Sequence, residues 1–347
     1  MMRGRVSFPP SNFSMRSLLL VLLFFATASA HAADACPVLR NRTTAPDVAT
    51  RIAAVACNEH MLWYRPFIDL KGRLASAAVH EGEAGRLDDG QDVIWRHVAR
   101  YWRETSLLPS IAHRAGATDC EYVASETYPG TACRGFVIDN PWSAAFVSWV
   151  MLKAGVPGFR PDASHLGYVR TAYLRPDTSA YEYRDPAQTP PAAGDLLCYV
   201  RHSQQAFGHQ GLKALLEKPG GLFMHCDIVV AVNPGNDATA YLVGGNVQQA
   251  VTMRMLPLNR NGQFWGLPQR TNDDTPCAPD TESGCNFNRQ DWAVLLKLKP
   301  PAQLATLPRA PAIANSSPMP GTAPAPLCCI NCVVGSNVPR CEQTPLD

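Results

Sequence analysis

Apolar positions recur every three to four residues from Pro46 to about Tyr64, where Val48, Ile52, Val55 and Ala56 share a face, and from about Asp92 to Thr105, where Ile94, Val98, Tyr101 and Trp102 do. Both spacings predict amphipathic helices. A third segment is apolar almost throughout from Ala144 to Leu152. It predicts a helix buried on most sides, with Asn140 as N-cap, Pro141 at the first helical position and Gly155 closing the element. Ser164 to Leu174 predicts another short helix. Between these, Gly82 to Gly90 reads as a charged loop and Pro109 to Asp139 as irregular.

After Pro190 the pattern changes. Leu196–Val200, His225–Val232 and Thr239–Val243 are short bounded apolar runs, and Asn233-Pro234-Gly235-Asn236-Asp237 between the last two is a hairpin signal. Val251, Met253 and Met255 alternate with Thr252 and Arg254, and Leu296 and Leu298 with Lys297 and Lys299, which predicts two more strands. Helices followed by strands predict an α+β fold, N-terminal helices packed on a small antiparallel sheet. Arg201 to Met224 is an insertion with a short helix near Leu212 to Glu217, either a lid over a cleft or a passive surface segment.

Of 347 residues 46% are hydrophobic and 17% charged, enough for a substantial core, and a net charge of +2 gives no footprint for nucleic acid. Residues 1–30 hold Arg3, Arg5 and Arg16, the apolar run Leu18 to Phe25, and Ala28-Ser29-Ala30. These are the three regions of a secretory signal peptide, with cleavage expected after Ala30 and Ala32 as the other choice. The mature chain is therefore expected to be exported, periplasmic or extracellular, without a membrane span. Cys36 follows Ala33-Asp34-Ala35, a poor lipoprotein box because of the aspartate.

The main domain is expected over residues 45–300, followed over 301–347 by a flexible Pro/Ala-rich linker and a cysteine-bearing tail. Twelve cysteines in an exported chain suggest disulfides before metal. Proximity suggests Cys36 with Cys57, Cys120 with Cys133 and Cys277 with Cys285, although connectivity stays open. Cys328, Cys329, Cys332 and Cys341 crowd the tail without a histidine, which favours further disulfides or a bridge to a protein partner over zinc. His202 and His209 lack metal-ligand spacing, and no metal or cofactor is expected.

Ser143 falls in the first turn of the central helix, where unpaired N–H groups and the helix dipole favour a developing anion. Most serines there simply satisfy backbone donors. Four strings in order give it another meaning: PWSAAFVSWV from Pro141, PPAAGDLLCYV from Pro190, MHCDIVVAV from Met224 and LVGGNVQQAV from Leu242. Together, over about residues 139–258, they resemble the papain-like amidases of the NlpC and CHAP type. More narrowly, the whole chain resembles the exported bacterial proteins grouped as domain-of-unknown-function family 2272.

The resemblance implies a papain-like core and hydrolysis of amide bonds in peptidoglycan peptides. It places Ser143 at the nucleophile, where the amidases carry cysteine, His225 at the base and Asn246 at the residue that orients it. Asp227 shares a strand face with His225 and buttresses the imidazole, binds substrate amines or caps a neighbouring loop. Cys226 points to the opposite face, toward Cys198, and is not the nucleophile. Trp142, His165 and Tyr168 are expected to bind substrate, with a buried, hydrogen-bonded histidine as the more frequent alternative at His165. A thiol with an ordinary pKa of about 8.5 ionises readily beside histidine, whereas serine needs general-base help and an oxyanion site. The alternatives are a catalytically inactive module that binds cell-wall peptides or a protein, and a structural envelope protein tethered by its tail.

Overall fold

The computed structural model describes residues 36–311 apart from 126–127, 202–204 and 276, together with 313, 331–332 and 339–340. The expected signal peptide and Cys328, Cys329 and Cys341 lie outside the described residues. Among those described, eight helices accompany an eight-stranded sheet, so the architecture is α+β.

The first helix, α1 (Cys36–Leu39), is tied by the Cys36–Cys57 disulfide to α2 (Val48–Leu62). Asp47, next to Pro46, caps the start of α2: its carboxylate accepts the Thr50 N–H at 2.7 Å. Next come α3 (Ile94–Glu104), α4 (Thr131–Asp139), α5 (Ser143–Lys153) and α6 (His165–Leu174). Helix α4 lies inside the stretch expected to be irregular, because Gly130, at φ +66°, opens it without a side-chain cap. Asn140 caps the C-terminal end of α4, its amide donating to the Phe136 carbonyl at 2.9 Å, and Trp142 takes the N-cap position of α5. The expected Asn140 start is therefore displaced by a helix ending where the next begins. The other end of α5 is as expected: Gly155 at φ +64° donates to Leu152 and Val156 to Met151, the paired bonds of a Schellman motif.

The strands are β1 (Phe67–Ile68), β2 (Leu74–Ala75), β3 (Tyr181–Arg184), β4 (Leu196–Val200), β5 (Met224–Val232), β6 (Thr239–Val247), β7 (Ala250–Pro257) and β8 (Asp291–Leu298). Their order is β2-β1-β7-β6-β5-β4-β8-β3, antiparallel except for β1 with β7. The sheet is larger than expected because β1 and β2 are two residues each and β3, Tyr-Glu-Tyr-Arg, carries no apolar run. Helix α7 (Gly208–Leu216) occupies the expected insertion and α8 (Pro301–Leu304) begins the expected linker. The start of that linker docks on the core, with Leu304 buried and the Gly158 N–H donating to Pro308.

Alternation divides the sheet between two apolar layers. Cys226, Ile228 and Val230 join the large cluster that includes Ala53, Phe146 and Val150 of the helices, whereas Leu197, Tyr199 and Val229 join a smaller one with Trp292 and Leu256. Cys198 and Cys226 face each other across β4 and β5 and form a disulfide, as do Cys120 with Cys133 and Cys277 with Cys285.

Candidate active site

The start of α5 opens on a cavity of about 610 Å³ whose walls include Ser143, His165, Arg114, Arg201, Trp102 and Phe223. Ser143 is held there by packing: Trp142 before it is fully buried between Trp63 and Tyr101, with ring centroids at 5.6 Å and 5.5 Å. This pillar fixes the first turn of α5. It also means that Trp142, expected to touch substrate, is core and does not line the cavity.

The Ser143 hydroxyl hydrogen-bonds the Nε2 atom of His165 at 2.7 Å. His165 opens α6 behind the Ser164 N-cap, and its Nδ1 hydrogen-bonds the hydroxyl of Tyr168, one turn along the same helix. Tyr168 is thus a support for the imidazole rather than part of the cavity wall. Burial, together with the nearby His225 and Arg201, holds His165 well below the usual histidine range, so it is neutral at pH 7. Burial likewise raises the Tyr168 phenol well above its ordinary value, so the hydroxyl keeps its proton.

His225 lies beside His165, with ring centroids 5.1 Å apart, but is fully buried and does not line the cavity. Among the described residues no hydrogen bond joins it to Ser143. Its Nε2 hydrogen-bonds Asp227 at 2.8 Å, and the other oxygen of Asp227 accepts from Arg254 Nε at 2.8 Å. Burial alone would raise the Asp227 carboxyl, yet Arg254 and His225 hold it well below the usual carboxylate range. The charged carboxylate selects the Nε2–H tautomer of His225, which leaves a basic lone pair on Nδ1, and that buried atom has no hydrogen-bond partner among the described residues. Burial lowers the His225 pKa as well.

Asn246 does not reach the imidazole. It sits at φ +57° in a β-bulge at the end of β6, a conformation asparagine tolerates, and its amide donates to Glu81 at 3.2 Å. Glu81 is buried, and desolvation pushes its carboxyl up to about 7. The two glycines before Asn246 serve close approach. A Cβ on Gly244 would lie 1.9 Å from Asp227 Oδ1, and one on Gly245 would lie 2.4 Å from the Phe146 ring. The Gly-Gly-Asn string therefore seats the carboxylate, the α5–β6 contact and a clasp to the Glu81 loop.

Arg254, Arg201 and Glu81 were not singled out by the sequence. Arg254 alternates with methionines and so reads as an exposed strand position, yet it is 2% exposed and donates to Asn288 as well as Asp227. No signal in the sequence distinguishes the other two from ordinary loop charges. Among the described residues no three His, Cys, Asp or Glu are placed to hold a metal ion, and no helix is long and apolar enough to cross a membrane.

The fold and this site define a disulfide-bonded α+β protein in which a helix-start serine is hydrogen-bonded to a buried histidine, next to a second histidine anchored on aspartate. Residues 89–298, well over half of the chain, match the family described as uncharacterized protein conserved in bacteria, domain of unknown function 2272, and the chain belongs to that family. Comparison with curated proteins and with solved structures finds no match.

Proposed function

We propose that the protein is an exported amide-bond hydrolase acting through Ser143. The observation that carries this reading is the Ser143–His165 hydrogen bond at the wall of a cavity and at a helix N-terminus. The serine oxygen attacks the substrate carbonyl carbon while its proton passes to His165 Nε2. For that, Nδ1 carries the ring proton and donates it to the Tyr168 oxygen. The first-turn N–H groups of α5, which have no intrahelical acceptor, receive the oxyanion. His165 then protonates the leaving amine, and water releases the acyl group by the reverse path. His165 thus takes the base role first expected of His225, which together with Asp227 stands behind it. Peptidoglycan peptides are the substrate class suggested by the resemblance to NlpC and CHAP amidases, and the four disulfides fit an oxidising, exported setting.

One observation favours a second reading, a binding module without catalysis. If the Tyr168 hydroxyl donates to Nδ1, Nε2 carries the hydrogen and Ser143 becomes the acceptor, so no base faces the hydroxyl. Fluorophosphonate labelling separates the two. Hydrolysis requires labelling that disappears in Ser143→Ala, together with altered muropeptide profiles for the wild type only. Absence of labelling, with identical profiles for both proteins, overturns hydrolysis and favours the binding module.

A further inference from the structure

The walls of the Ser143 cavity carry an unbalanced charge. Arg114 and Arg201 contribute to them, and no aspartate or glutamate does. Arg114 is exposed at the mouth, where solvent serves it. Arg201 is different: it follows the last residue of β4, is half-buried, and stands close enough to His165 and His225 to disfavour a charge on either ring.

Several buried or half-buried guanidinium groups in this protein are occupied, although the buried Nε of Arg103 has no partner among the described residues. Arg51 donates to the Ala154 carbonyl, Arg96 to three carbonyls including Val123, Arg134 to Gly82, Arg170 to Lys218 and Arg254 to Asp227. Arg201 makes no side-chain hydrogen bond or ion pair among the described residues. A partly desolvated guanidinium without an acceptor is unfavourable, and its planar donor fork matches a carboxylate. Much of the rest of the wall is apolar, with Trp102, Ile111, Leu222 and Phe223 beside the polar Asn140 and Ser164, and Phe223 is 74% exposed. A ligand that satisfies both features carries an anionic oxygen pair beside a compact apolar body.

We propose that the cavity recognises short carboxylate-bearing peptides, with Arg201 binding the carboxylate and Arg114 adding positive potential at the mouth. This rests on reading the cavity as the substrate site of Ser143. The carboxylate comes either from a peptide C-terminus or from an acidic side chain, and in both cases Arg201 would place the neighbouring amide near the serine.

Calorimetric titration of the full-length Ser143→Ala protein tests this without turnover. Three probes suffice: acetyl-alanyl-alanine, its C-terminal amide, and acetyl-glutamyl-alanine amide. At least one acid should bind about tenfold or more tightly than the neutral amide, the margin expected of a charge-assisted bond. A preference for the first acid identifies a terminal carboxylate, and a preference for the third probe identifies a side-chain one. Adding Arg201→Gln should abolish the preference, Arg201→Lys should restore part of it, and salt should weaken it. Unchanged thermal unfolding of the arginine variants shows that the fold is intact.

Equal binding of the three probes, no measurable binding of any at millimolar concentration, or a preference that survives Arg201→Gln overturns the proposal. Fluorophosphonate labelling of the wild type reports on Ser143 alone. Its failure with carboxylate preference intact overturns hydrolysis and leaves the recognition standing, and the opposite result does the reverse.

Discussion

Two imidazoles lie near one hydroxyl, and their different partners give them different work. His165 touches Ser143 and rests on the Tyr168 hydroxyl, whereas His225 is locked to a carboxylate that Arg254 also holds. In the proposed chemistry His165→Gln therefore lowers the fluorophosphonate labelling rate by about 100-fold or more, the usual range for losing a general base. His225→Gln lowers it by less, because its ring does not reach the hydroxyl. Equal losses in both variants would show the proton path to run through both rings. Asp227→Asn acts on stability. It leaves the fully buried Arg254 without its anion, so chemical denaturation should show a loss of about 3–5 kcal/mol. The Asp227 pKa is lowered in the folded state from an ordinary 3.8, so the stability it contributes is present above that value and declines as pH falls toward the folded one. Wild type should lose stability in acid through this group, and the Asp227→Asn protein should lack that component.

At the scale of elements, the β6 end shows how a short string serves two neighbours. Gly244→Ala drives a methyl into Asp227, and overpacking of this kind costs about 1–3 kcal/mol or more, with the His225 partner displaced. Gly155→Ala provides the contrast, since its added Cβ meets nothing within 4 Å and only the φ of +64° opposes it, a penalty of about 1 kcal/mol. Thermal unfolding of the two variants should rank Gly244→Ala as clearly worse. The strong periodicities made α2, α3, α6 and the strands β4 to β8 legible in the sequence, and side-chain alternation placed Asp227 with His225 and Cys226 with Cys198. Helix α4 was hidden because a glycine rather than a capping side chain opens it. The strand β3 was hidden because its residues read as polar. At the site, sequence order selected Ser143 and His225, but which imidazole meets the hydroxyl depends on how α6 crosses the mouth of α5. That is a tertiary fact with no local signature. Asn246 follows the same logic, since a residue suited to orienting a ring is equally suited to a left-handed bulge.

Across the whole molecule, the helices are fastened to one another by a buried charged network as well as by packing. His97 on α3 hydrogen-bonds Glu59 on α2 at 2.7 Å and Asp92 at 3.0 Å, and the Tyr101 hydroxyl donates to Glu59 at 2.5 Å while accepting from Trp63 at 3.2 Å. That network supports the aromatic pillar carrying Trp142, and so it is mechanically continuous with the start of α5. Burial alone would lower the His97 pKa, but Glu59 and Asp92 raise it from 6.5 to about 9. A base whose folded pKa is raised contributes stability that is fully present below about 6.5 and is lost as pH climbs through about 9. Unfolding midpoints in denaturant should therefore fall between those two pH values. In His97→Gln the fall should be flattened, even though that variant is less stable at every pH because Glu59 loses its partner. The slope is the diagnostic quantity: a merely structural role for His97 lowers the whole curve without changing its shape. Because Trp63 and Tyr101 carry the network to Trp142, the alkaline loss should also appear as a parallel decline in Ser143 labelling before global unfolding.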